Sequence, residues 1–327
     1  MKIITWNVNN RVGTVSQQVQ ALAQREPDVV ALQDVNLNAV TPYLEAFHLI
    51  GLSHAMHTLA RQSHAIPTGV LIASRSPLSP LPDIPESVLW SQGVCSPDRE
   101  KVRQHWTRRT LFALLHSPFG EIEVANVYIT PANHKESNAR GERRLYPSLK
   151  LDLLSGVYQA LAIPATRPRL LCGDFNTPQH EQANGEIITW GFQKRQGIYF
   201  LRDRRQHVLE FRILHELSAY DLPDIFRRLH GYAQPSQDEG WSWCYQNRVR
   251  YRFDHIFASH ALRPIQAQYL HTFRELHLSD HAPLEALFEP TSRQGSKPAA
   301  TNCATRETCG QGETHQQSSF LEPQRSK

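Results

Sequence analysis

Residues 170–176 read Leu-Leu-Cys-Gly-Asp-Phe-Asn, an apolar run that ends in polar residues. An apolar run of this length is typical of a buried β-strand, and we predict a strand over residues 169–173. Asp174 and Asn176 then follow the strand directly. The strand ends of α/β sheets collect ligand-binding and catalytic groups, because the strands are rigid and their ends open to solvent.

Polar residues flank further apolar runs at Asn7, Asp34, Asp254, Asp280 and His281. A single Asp or Asn in such a position is more often a turn or a helix cap than a catalyst. Taken together, they supply several carboxylates, carboxamides and one His, while no pair of His or Cys has the spacing of a zinc site. Oxygen-rich donor sets suit Mg²⁺ or Mn²⁺, and with one His nearby they suit metal-assisted phosphoryl chemistry.

Strand-like and helix-like patterns alternate along the chain, which is typical of a layered α/β fold. We predict strands over residues 2–7, 28–33, 69–73, 110–116, 121–129, 169–173, 252–258 and 283–288. We predict helices over residues 15–24, 141–161, 180–190 and 222–230. Residues 74–100 are rich in Pro and Ser and read as a long surface loop.

The composition describes an ordinary soluble globular protein. Of 327 residues, 40% are hydrophobic and 20% are charged, and the net charge is only +4. No apolar run approaches the ~20 residues of a membrane helix, and the N-terminus has no secretory apolar region, so we expect no membrane association and a cytoplasmic location. The five cysteines are scattered, which argues against a disulfide framework and against a zinc ribbon.

The domain organisation follows from a change in composition near residue 291. Residues 1–290 contain no internal repeat and no linker, and we interpret them as one domain. Residues 291–327 are rich in Ser, Thr, Gln and Gly and are predicted to be a disordered polar tail. We expect a monomer, and no protein partner can be inferred.

Two stretches, residues 99–109 and 194–212, interleave basic and aromatic side chains. Cations neutralise phosphates and flat side chains stack on bases, so the mixture favours nucleic acid. A solvated surface with aromatics turned into the core explains either stretch alone equally well. The candidate contacts are Arg103, Trp106, Arg108, Arg202, Arg204 and Arg205, with Arg140, Arg143 and Arg144 as a third possible cluster.

Six short motifs occur along the chain between residues 3 and 283. They are IITWNVN at 3–9, LQDV at 32–35, NVY at 126–128, GDFN at 173–176, RFD at 252–254 and SDHAP at 279–283. In their order and spacing, these motifs resemble the endonuclease/exonuclease/phosphatase superfamily, and the sequence is most similar to its exonuclease III and AP-endonuclease branch. The resemblance spans residues 1 to about 290. It implies a DNase I-like catalytic domain, a four-layer sandwich of two packed mixed β-sheets flanked by helices.

The resemblance also implies roles for the site residues. Asp174 would orient and deprotonate the attacking water, with Asn176 beside it. His281 would bind a phosphate oxygen, and Asp254 would hold the His281 ring in place and keep it protonated. The remaining roles are phosphate binding by Tyr128, positioning of ligand or metal by Asn7, and binding of Mg²⁺ or Mn²⁺ by Asp34 and Asp280.

Asp34 departs from the family pattern, in which the corresponding residue is Glu. Loss of one methylene withdraws the carboxylate by roughly 1.5 Å, which is large against Mg²⁺–oxygen distances of about 2.0–2.1 Å. A backbone shift, an intervening water or a preference for the larger Mn²⁺ would each restore binding. The alternative is a weakened metal site.

We therefore expect a Mg²⁺- or Mn²⁺-dependent phosphodiesterase that acts on nucleic acid, DNA more than RNA, as an endonuclease or a 3′–5′ exonuclease. One alternative is a phosphatase or phospholipase of the same superfamily that acts on inositol phosphates, sphingomyelin or other small or lipid phosphate esters. Residues 243–248 do not match the inositol phosphatase motif, which disfavours it. The other alternative is a catalytically impaired nucleic-acid-binding homologue, which only Asp34 suggests.

Overall fold

The apolar runs of the sequence form two β-sheets that pack against each other. The computed structural model describes residues 1–59, 66–81, 98–131, 135–137, 143–145, 147–232, 239–246 and 249–290. The first sheet has the order β18-β19-β1-β2-β4-β3. Its strands are β1 Lys2–Asn7, β2 Val29–Asn36, β3 His54–His57, β4 Thr68–Ser74, β18 Leu262–Tyr269 and β19 Leu284–Pro290.

The second sheet has the order β17-β10-β7-β6-β5. Its strands are β5 Leu78–Pro80, β6 Thr110–Ser117, β7 Gly120–Tyr128, β10 Arg169–Asp174 and β17 Asp254–Ala258. Each sheet contains one parallel pair, β1 with β2 and β7 with β10, among antiparallel neighbours. Because parallel strands end at the same edge of a sheet, the parallel pairs bring Asn7 near the end of β2, and Tyr128 opposite Asp174.

Four short hairpins and several helices connect these strands. The hairpins are β8 Lys135–Ser137 with β9 Arg143–Leu145, β11 His180–Glu181 with β12 Ile187–Ile188, β13 Phe192–Arg195 with β14 Ile198–Leu201, and β15 Trp243–Tyr245 with β16 Val249–Tyr251. The α-helices are α1 Val15–Ala23, α2 Val40–Leu49, α3 Arg99–Arg109, α4 Pro147–Leu161, α5 Arg204–Leu214, α6 Ile225–His230 and α7 His271–Glu275. Two 3₁₀ helices cover Leu37–Ala39 and Glu216–Tyr220.

The long strands are apolar on both faces because each sheet is covered on both sides. Between the sheets, Ile3 and Val70 of the first pack in one core with Leu170 and Ile256 of the second. The outer face of the first sheet packs against α1 and α2, and the outer face of the second packs against α4 and α5. The predicted architecture of two packed mixed sheets flanked by helices is therefore confirmed, and Met1–Thr291 forms one compact unit.

Several predicted elements were wrong. Residues 180–190 form the hairpin β11–β12 instead of a helix, because Gly185 adopts a positive φ and the Gln182 amide donates to the Glu186 carbonyl across a tight turn. Two helices, α3 and α5, occupy stretches predicted only as basic surface. The loop predicted over residues 74–100 contains β5 and the first residues of α3.

Part of the sequence-based prediction lies outside the described residues. These parts are Arg140, the side chains of Arg143 and Arg144, and the predicted tail 291–327. Within the described ranges, every helix is too short or too polar to cross a bilayer.

A buried ion network fixes the loop after β10 to the start of β17. Arg252 donates to both oxygens of Glu181, at 2.6 and 2.7 Å, and to Asp224 at 2.6 Å. The ring of His255 bridges Asp224, at 3.0 Å, and the carbonyl of Thr177, at 2.9 Å. Burial favours the neutral acid, but the guanidinium of Arg252 outweighs it and lowers the pKa of Glu181 to about 2. The network holds the strand that carries Asp254 against the loop that follows Asp174.

We expect Gly173→Ala to destabilise the protein severely. A Cβ on Gly173 would lie 1.9 Å from the carbonyl oxygen of Val127, and the φ of +142° disfavours any side chain. Strand β10 would have to move away from β7, at a cost at or above the about 1–3 kcal/mol of ordinary overpacking. Urea unfolding measures the loss, and Gly13→Ala is the control because no atom lies within 4 Å of its added Cβ. Equal stability of the two variants would contradict the close approach.

The acid sensitivity of the fold is expected to depend on Glu181. Its pKa falls from an ordinary 4.5 to about 2 on folding, so the folded state binds fewer protons than the unfolded state. The stabilisation is complete above about pH 4.5 and is lost as the pH falls through about 2. Urea unfolding between pH 2 and pH 6 should show the difference between the parent and Glu181→Gln shrinking as the pH falls. Glu45→Gln, at an exposed site on α2, serves as control, and a pH-independent difference would refute the prediction.

Candidate active site

The strand ends of the two sheets meet in a cleft of about 680 Å³. Asn7 at the end of β1 and His281 just before β19 come from the first sheet, and Asp174 at the end of β10 comes from the second. The predicted site residues that line the cleft are Asn7, Asp34, Tyr128, Asp174, Asn176, Asp280 and His281. Asp254 lies behind them and is fully buried. The packing of the sheets thus brings the predicted catalytic and metal-binding residues together.

Asp174 lies at the floor of the cleft and is 1% exposed. Asn7 donates from Nδ2 to its Oδ2 at 2.8 Å. Asn176 donates from its backbone N–H to Oδ1 at 2.9 Å and from Nδ2 to Oδ2 at 3.2 Å. Asn176 itself adopts a φ of +50° and donates from Nδ2 to the carbonyl of Ile129 at 2.9 Å. The carboxylate is therefore fixed in orientation from both sheets.

Burial raises the pKa of Asp174, and the negative charge of Asp254 raises it further, to about 7. The positive charge of His281 and the hydrogen bond from Asn7 oppose this rise without cancelling it. The carboxyl of Asp174 can therefore take up and release a proton near neutral pH.

His281 forms a short hydrogen bond with Asp254, with 2.7 Å between Nδ1 and Oδ2. Its other ring nitrogen, Nε2, lies 4.0 Å from Oδ2 of Asp174. Burial lowers the pKa of His281, but the charges of Asp254 and then Asp174 outweigh burial and raise it to about 10. At neutral pH the ring is an imidazolium that offers the Nε2 proton on the side of Asp174.

Asp34 lies on a bulge of β2, where the pairing with β4 is interrupted between Leu32 and Val35. It adopts a φ of +54° and is half-buried at the edge of the cleft. Burial raises the pKa of Asp34, the charge of Arg109 lowers it, and the negative charge of Asp280 raises it. Asp280 is exposed and accepts a hydrogen bond from the indole of Trp243 at 3.0 Å.

Two sets of residues could hold a divalent metal. Asp174, Asp254 and His281 have ligand atoms within 4.8 Å of one another. However, the imidazolium of His281 has no free lone pair on either nitrogen, so this cluster suits a charge network better than a metal. The other set is Asp34, Asp280 and the side-chain oxygen of Asn7, which offers the oxygen donors that Mg²⁺ and Mn²⁺ prefer. The second set fits the metal that the resemblance implies.

Arg109 is a site neighbour that the sequence analysis did not single out. Its guanidinium lies 4.5 Å from the ring centre of Tyr128, and its Nε donates to Nδ1 of His105 at 3.1 Å. The side chain is buried, and its Nη1 has no hydrogen-bond partner among the described residues. Its positive charge lowers the pKa of both Asp34 and Tyr128, in each case against the larger opposite effect of burial.

One wall of the cleft is aromatic, which the sequence analysis also missed. The rings of Tyr251 and Phe253 stack 5.0 Å apart, Trp243 stacks on Phe253 at 5.6 Å, and Trp190 lies 5.6 Å from Tyr251. Tyr245 continues the wall toward solvent. Aromatic residues at alternate positions in 241–253, just before Asp254, are the sequence signal that could have revealed it.

A buried Lys–Glu pair supports the loop that carries Asn176. Lys150 of α4 donates to Glu210 of α5 at 2.7 Å and to the carbonyl of Asn176 at 2.9 Å. Glu210 also accepts from the Thr177 hydroxyl at 2.6 Å and the Trp190 amide at 2.8 Å. The indole of Trp190 donates to the same Asn176 carbonyl at 3.0 Å. Two helices of the outer layer thus hold the loop after β10 and the aromatic wall in one arrangement.

The predicted nucleic-acid contacts divide into two groups. Trp106 is 8% exposed and packs beside Phe112, and Arg108 is 4% exposed and donates to the Thr58 carbonyl at 3.2 Å. Both are therefore core residues of α3, and this correction follows from the helix turning them inward. The exposed members are Arg103, which pairs with Glu100 at 2.6 Å, and Arg202, Arg204 and Arg205 near the start of α5.

Comparison with known proteins agrees with the fold. The sequence profile of the Endonuclease/Exonuclease/phosphatase family matches residues 4–281. No curated protein matches the sequence. Among solved structures, an AP endonuclease from Archaeoglobus fulgidus is similar, with a TM-score of 0.59, 20% identity and coverage of 88% of this chain and 99% of the other.

Two further solved structures are similar. The 3′ phosphatase NExo from Neisseria, bound to a product DNA hairpin, has a TM-score of 0.58, 21% identity and coverage of 88% and 99%. A humanized D. rerio TDP2 has a TM-score of 0.51, 17% identity and coverage of 88% and 98%. At these identities the likeness is one of fold. The match to the family profile over most of the chain places this protein in the endonuclease/exonuclease/phosphatase family, whose members are metal-dependent phosphoester hydrolases.

Proposed function

We propose that this protein is a divalent-metal-dependent phosphodiesterase that cleaves nucleic acid, with DNA preferred over RNA. The observation that carries the proposal is the buried His281–Asp254 pair beside an Asp174 carboxyl with a pKa of about 7. Hydrolysis of a phosphodiester needs a water that loses a proton, stabilisation of charge on the phosphate oxygens and help for the leaving oxygen. Asp174 and His281 meet the first two needs with groups already in place.

Asp174 is the general base in this proposal. Its raised pKa makes it basic enough to accept a proton from water near neutral pH. Hydrogen bonds from Asn7 and Asn176 fix the carboxylate, so that the lone pair that receives the proton keeps one direction. Because most of the base is buried, a water beside it has few competing orientations.

His281 binds the phosphate in this proposal. Asp254 holds Nδ1, which leaves the Nε2 proton to donate to a non-bridging oxygen as negative charge develops there. Tyr128 is a second donor, since burial and the charge of Asp34 raise the pKa of its phenol and keep it protonated. Both donors are preorganised, so little reorganisation is needed during the reaction.

Asp34, Asp280 and Asn7 would hold Mg²⁺ or Mn²⁺. When bound, the metal would supply Lewis-acid stabilisation of charge on the phosphate. Burial raises the pKa of Asp34, and the positive charge of Arg109 partly opposes this rise.

The aromatic wall supports nucleic acid as the substrate. Flat side chains bind the faces of bases and sugars, and a cleft of about 680 Å³ has room for a nucleotide. Among the similar structures, one is an AP endonuclease and another is bound to a DNA hairpin product.

Cleavage of end-labelled duplexes tests the proposal. One duplex is intact and one carries a single abasic site, and each is incubated with Mg²⁺, Mn²⁺ or EDTA. We expect metal-dependent products that fall by at least about a hundredfold in His281→Ala and in Asp174→Asn, since each removes a group that acts on the reacting atoms.

His48→Ala, at an exposed site on α2, is the matched control and should retain activity. Activity of either site variant within tenfold of the parent would refute the roles assigned here. If neither duplex is cut with any metal, a phosphatase acting on small or lipid esters and a catalytically impaired binding protein become the remaining candidates.

Asp34→Glu is expected to keep or increase Mg²⁺-dependent activity. The longer carboxylate reaches roughly 1.5 Å farther, toward the position that the family's Glu would occupy. The rate is measured against Mg²⁺ concentration, and the half-saturating concentration should stay equal or fall. The parent assayed with Mn²⁺ provides the comparison, because a larger ion tolerates the shorter side chain better. A large loss of activity would mean that the pocket is adapted to Asp.

A further inference from the structure

A β-hairpin, β13–β14, begins two residues after Trp190, which lines the cleft. Strands β13 and β14 pair across Gln196 and Gly197, which both adopt positive φ, +49° and +86°, as in the tightest hairpin turns. At its base, the carbonyl of Gly191 accepts from the amides of Arg202 at 2.8 Å and Asp203 at 2.9 Å. The residue before Gly191 is Trp190 of the aromatic wall, so the hairpin continues directly from the cleft.

The register gives the hairpin two different faces. Directly paired residues share a face and successive residues alternate. One face carries Phe192, Lys194, Tyr199 and Leu201, and the other carries Gln193, Arg195, Ile198 and Phe200. On the first face, Phe192 packs against His207 of α5, with ring centres 5.0 Å apart. The first face is therefore turned toward the protein at Phe192, whereas Lys194 and Leu201 on the same face are exposed.

The second face is turned to solvent. Ile198 is 61% exposed and Phe200 is 53% exposed, although both are large apolar side chains. Arg195 is the direct cross-strand partner of Ile198 on the same face and is also exposed. Neither apolar side chain contributes appreciably to a core, and exposed apolar groups that cluster mark a site of interaction.

The positive charge around the second face favours a negatively charged partner. Lys194, Arg195, Arg202 and Arg204 are exposed, whereas the nearby acid Asp203 caps α5 by accepting from the Gln206 amide at 3.0 Å. A second copy of the chain would bring like charges together, which opposes association through this face. A polyanion with flat apolar faces complements it, since cations bind phosphates and an aromatic ring stacks on a base.

We propose that the face formed by Gln193, Arg195, Ile198 and Phe200 binds a nucleic-acid strand next to the scissile phosphate. Phe200 lies against an unpaired base and Arg195 against a backbone phosphate. The proposal rests on the proposed nuclease function and deepens it: the substrate is a polynucleotide that extends several nucleotides beyond the cleft. The hairpin affects binding of the strand and leaves the chemical step to the residues of the cleft.

The test compares Ile198→Ser/Phe200→Ser and Arg195→Glu with the parent. Leu49→Ser and Arg263→Glu are matched controls, since both side chains are well exposed and belong to other elements. The substrates are a single-stranded oligonucleotide, the same sequence as a blunt duplex, and bis(4-nitrophenyl) phosphate. We expect kcat/KM on the oligonucleotide to fall at least about tenfold through KM, with hydrolysis of the small diester unchanged.

Binding is read separately from turnover, by fluorescence anisotropy of a labelled oligonucleotide with His281→Ala protein. Adding the hairpin substitutions to that variant should weaken binding about tenfold, and Arg195→Glu should also reduce its salt dependence. A larger effect on the single strand than on the duplex supports contact with an unpaired base. An equal effect contradicts the stacking of Phe200.

Several outcomes would overturn the proposal. Equal losses on the small diester and the oligonucleotide would make the hairpin a support of the fold, as would a large fall in melting temperature. A changed molar mass in light scattering with unchanged oligonucleotide binding would make the face an interface between copies. A parent that hydrolyses no diester refutes the proposed function instead, and the anisotropy measurement then decides whether the hairpin still binds nucleic acid.

Discussion

The structure depends on burying two carboxylates and one imidazolium side by side where the two sheets meet. Nδ1 of His281 and Oδ2 of Asp254 lie 2.7 Å apart, so the charges of these two groups neutralise each other. The negative charge of Asp174 is left only partly balanced. That imbalance, together with burial, raises the pKa of Asp174 to about 7. Asp174 and Asp254 lie on strands of the second sheet, and His281 lies just before β19 of the first sheet. The cluster therefore exists only while the two sheets are packed together. The raised pKa of Asp174 therefore depends on the packing of the two sheets.

A site of this kind needs rigid support, and buried ion pairs supply it on both sides. Lys150 and Glu210 hold the Asn176 carbonyl and Thr177, while Arg252, Glu181 and Asp224 tie the same loop to the strand of Asp254. Buried ion pairs contribute little net stability compared with apolar packing, since desolvation offsets their attraction. Here the ion pairs fix the orientation of the groups that they join, because each charged group forms its hydrogen bonds in only a few directions. The loop after β10 consequently keeps one conformation.

The sequence predicted secondary structure well where the local hydrophobic pattern agrees with the burial of the residues. The apolar runs around Asp174 and Asn7 predicted strands, and the polar residues at the ends of those strands line one cleft. The helices α3 and α5 were missed because both begin in runs of charged and polar residues that read as basic surface. The helix over 180–190 was wrong because a turn at Gly185 outweighs the apolar residues Ile187 and Ile188. Arg109 could not be found by strand-end reasoning, since its effect on the site arises from its contact with Tyr128 of another element. The aromatic wall left a local signal, the alternating aromatic residues in 241–253, which strand-end reasoning does not use.

The residues that strand-end patterns indicated and the residues that they missed lie in different parts of the fold. The residues proposed to act on the phosphate lie at strand ends, where the strand pattern fixes them, whereas the residues proposed to contact the rest of the substrate lie in hairpins between the strands. The hairpin β15–β16 carries Trp243 and Tyr251 of the wall, and β13–β14 carries Phe200 and Arg195 beyond it. The hairpin β13–β14 can change in length and composition without moving Asp174 or His281, because it supplies no strand to the main sheets. The hairpin β15–β16 is more constrained, since Trp243 forms a β-bridge with His281. Substrate preference can therefore change while the chemistry is preserved. For this reason the motifs at the strand ends indicate the family but do not indicate the substrate.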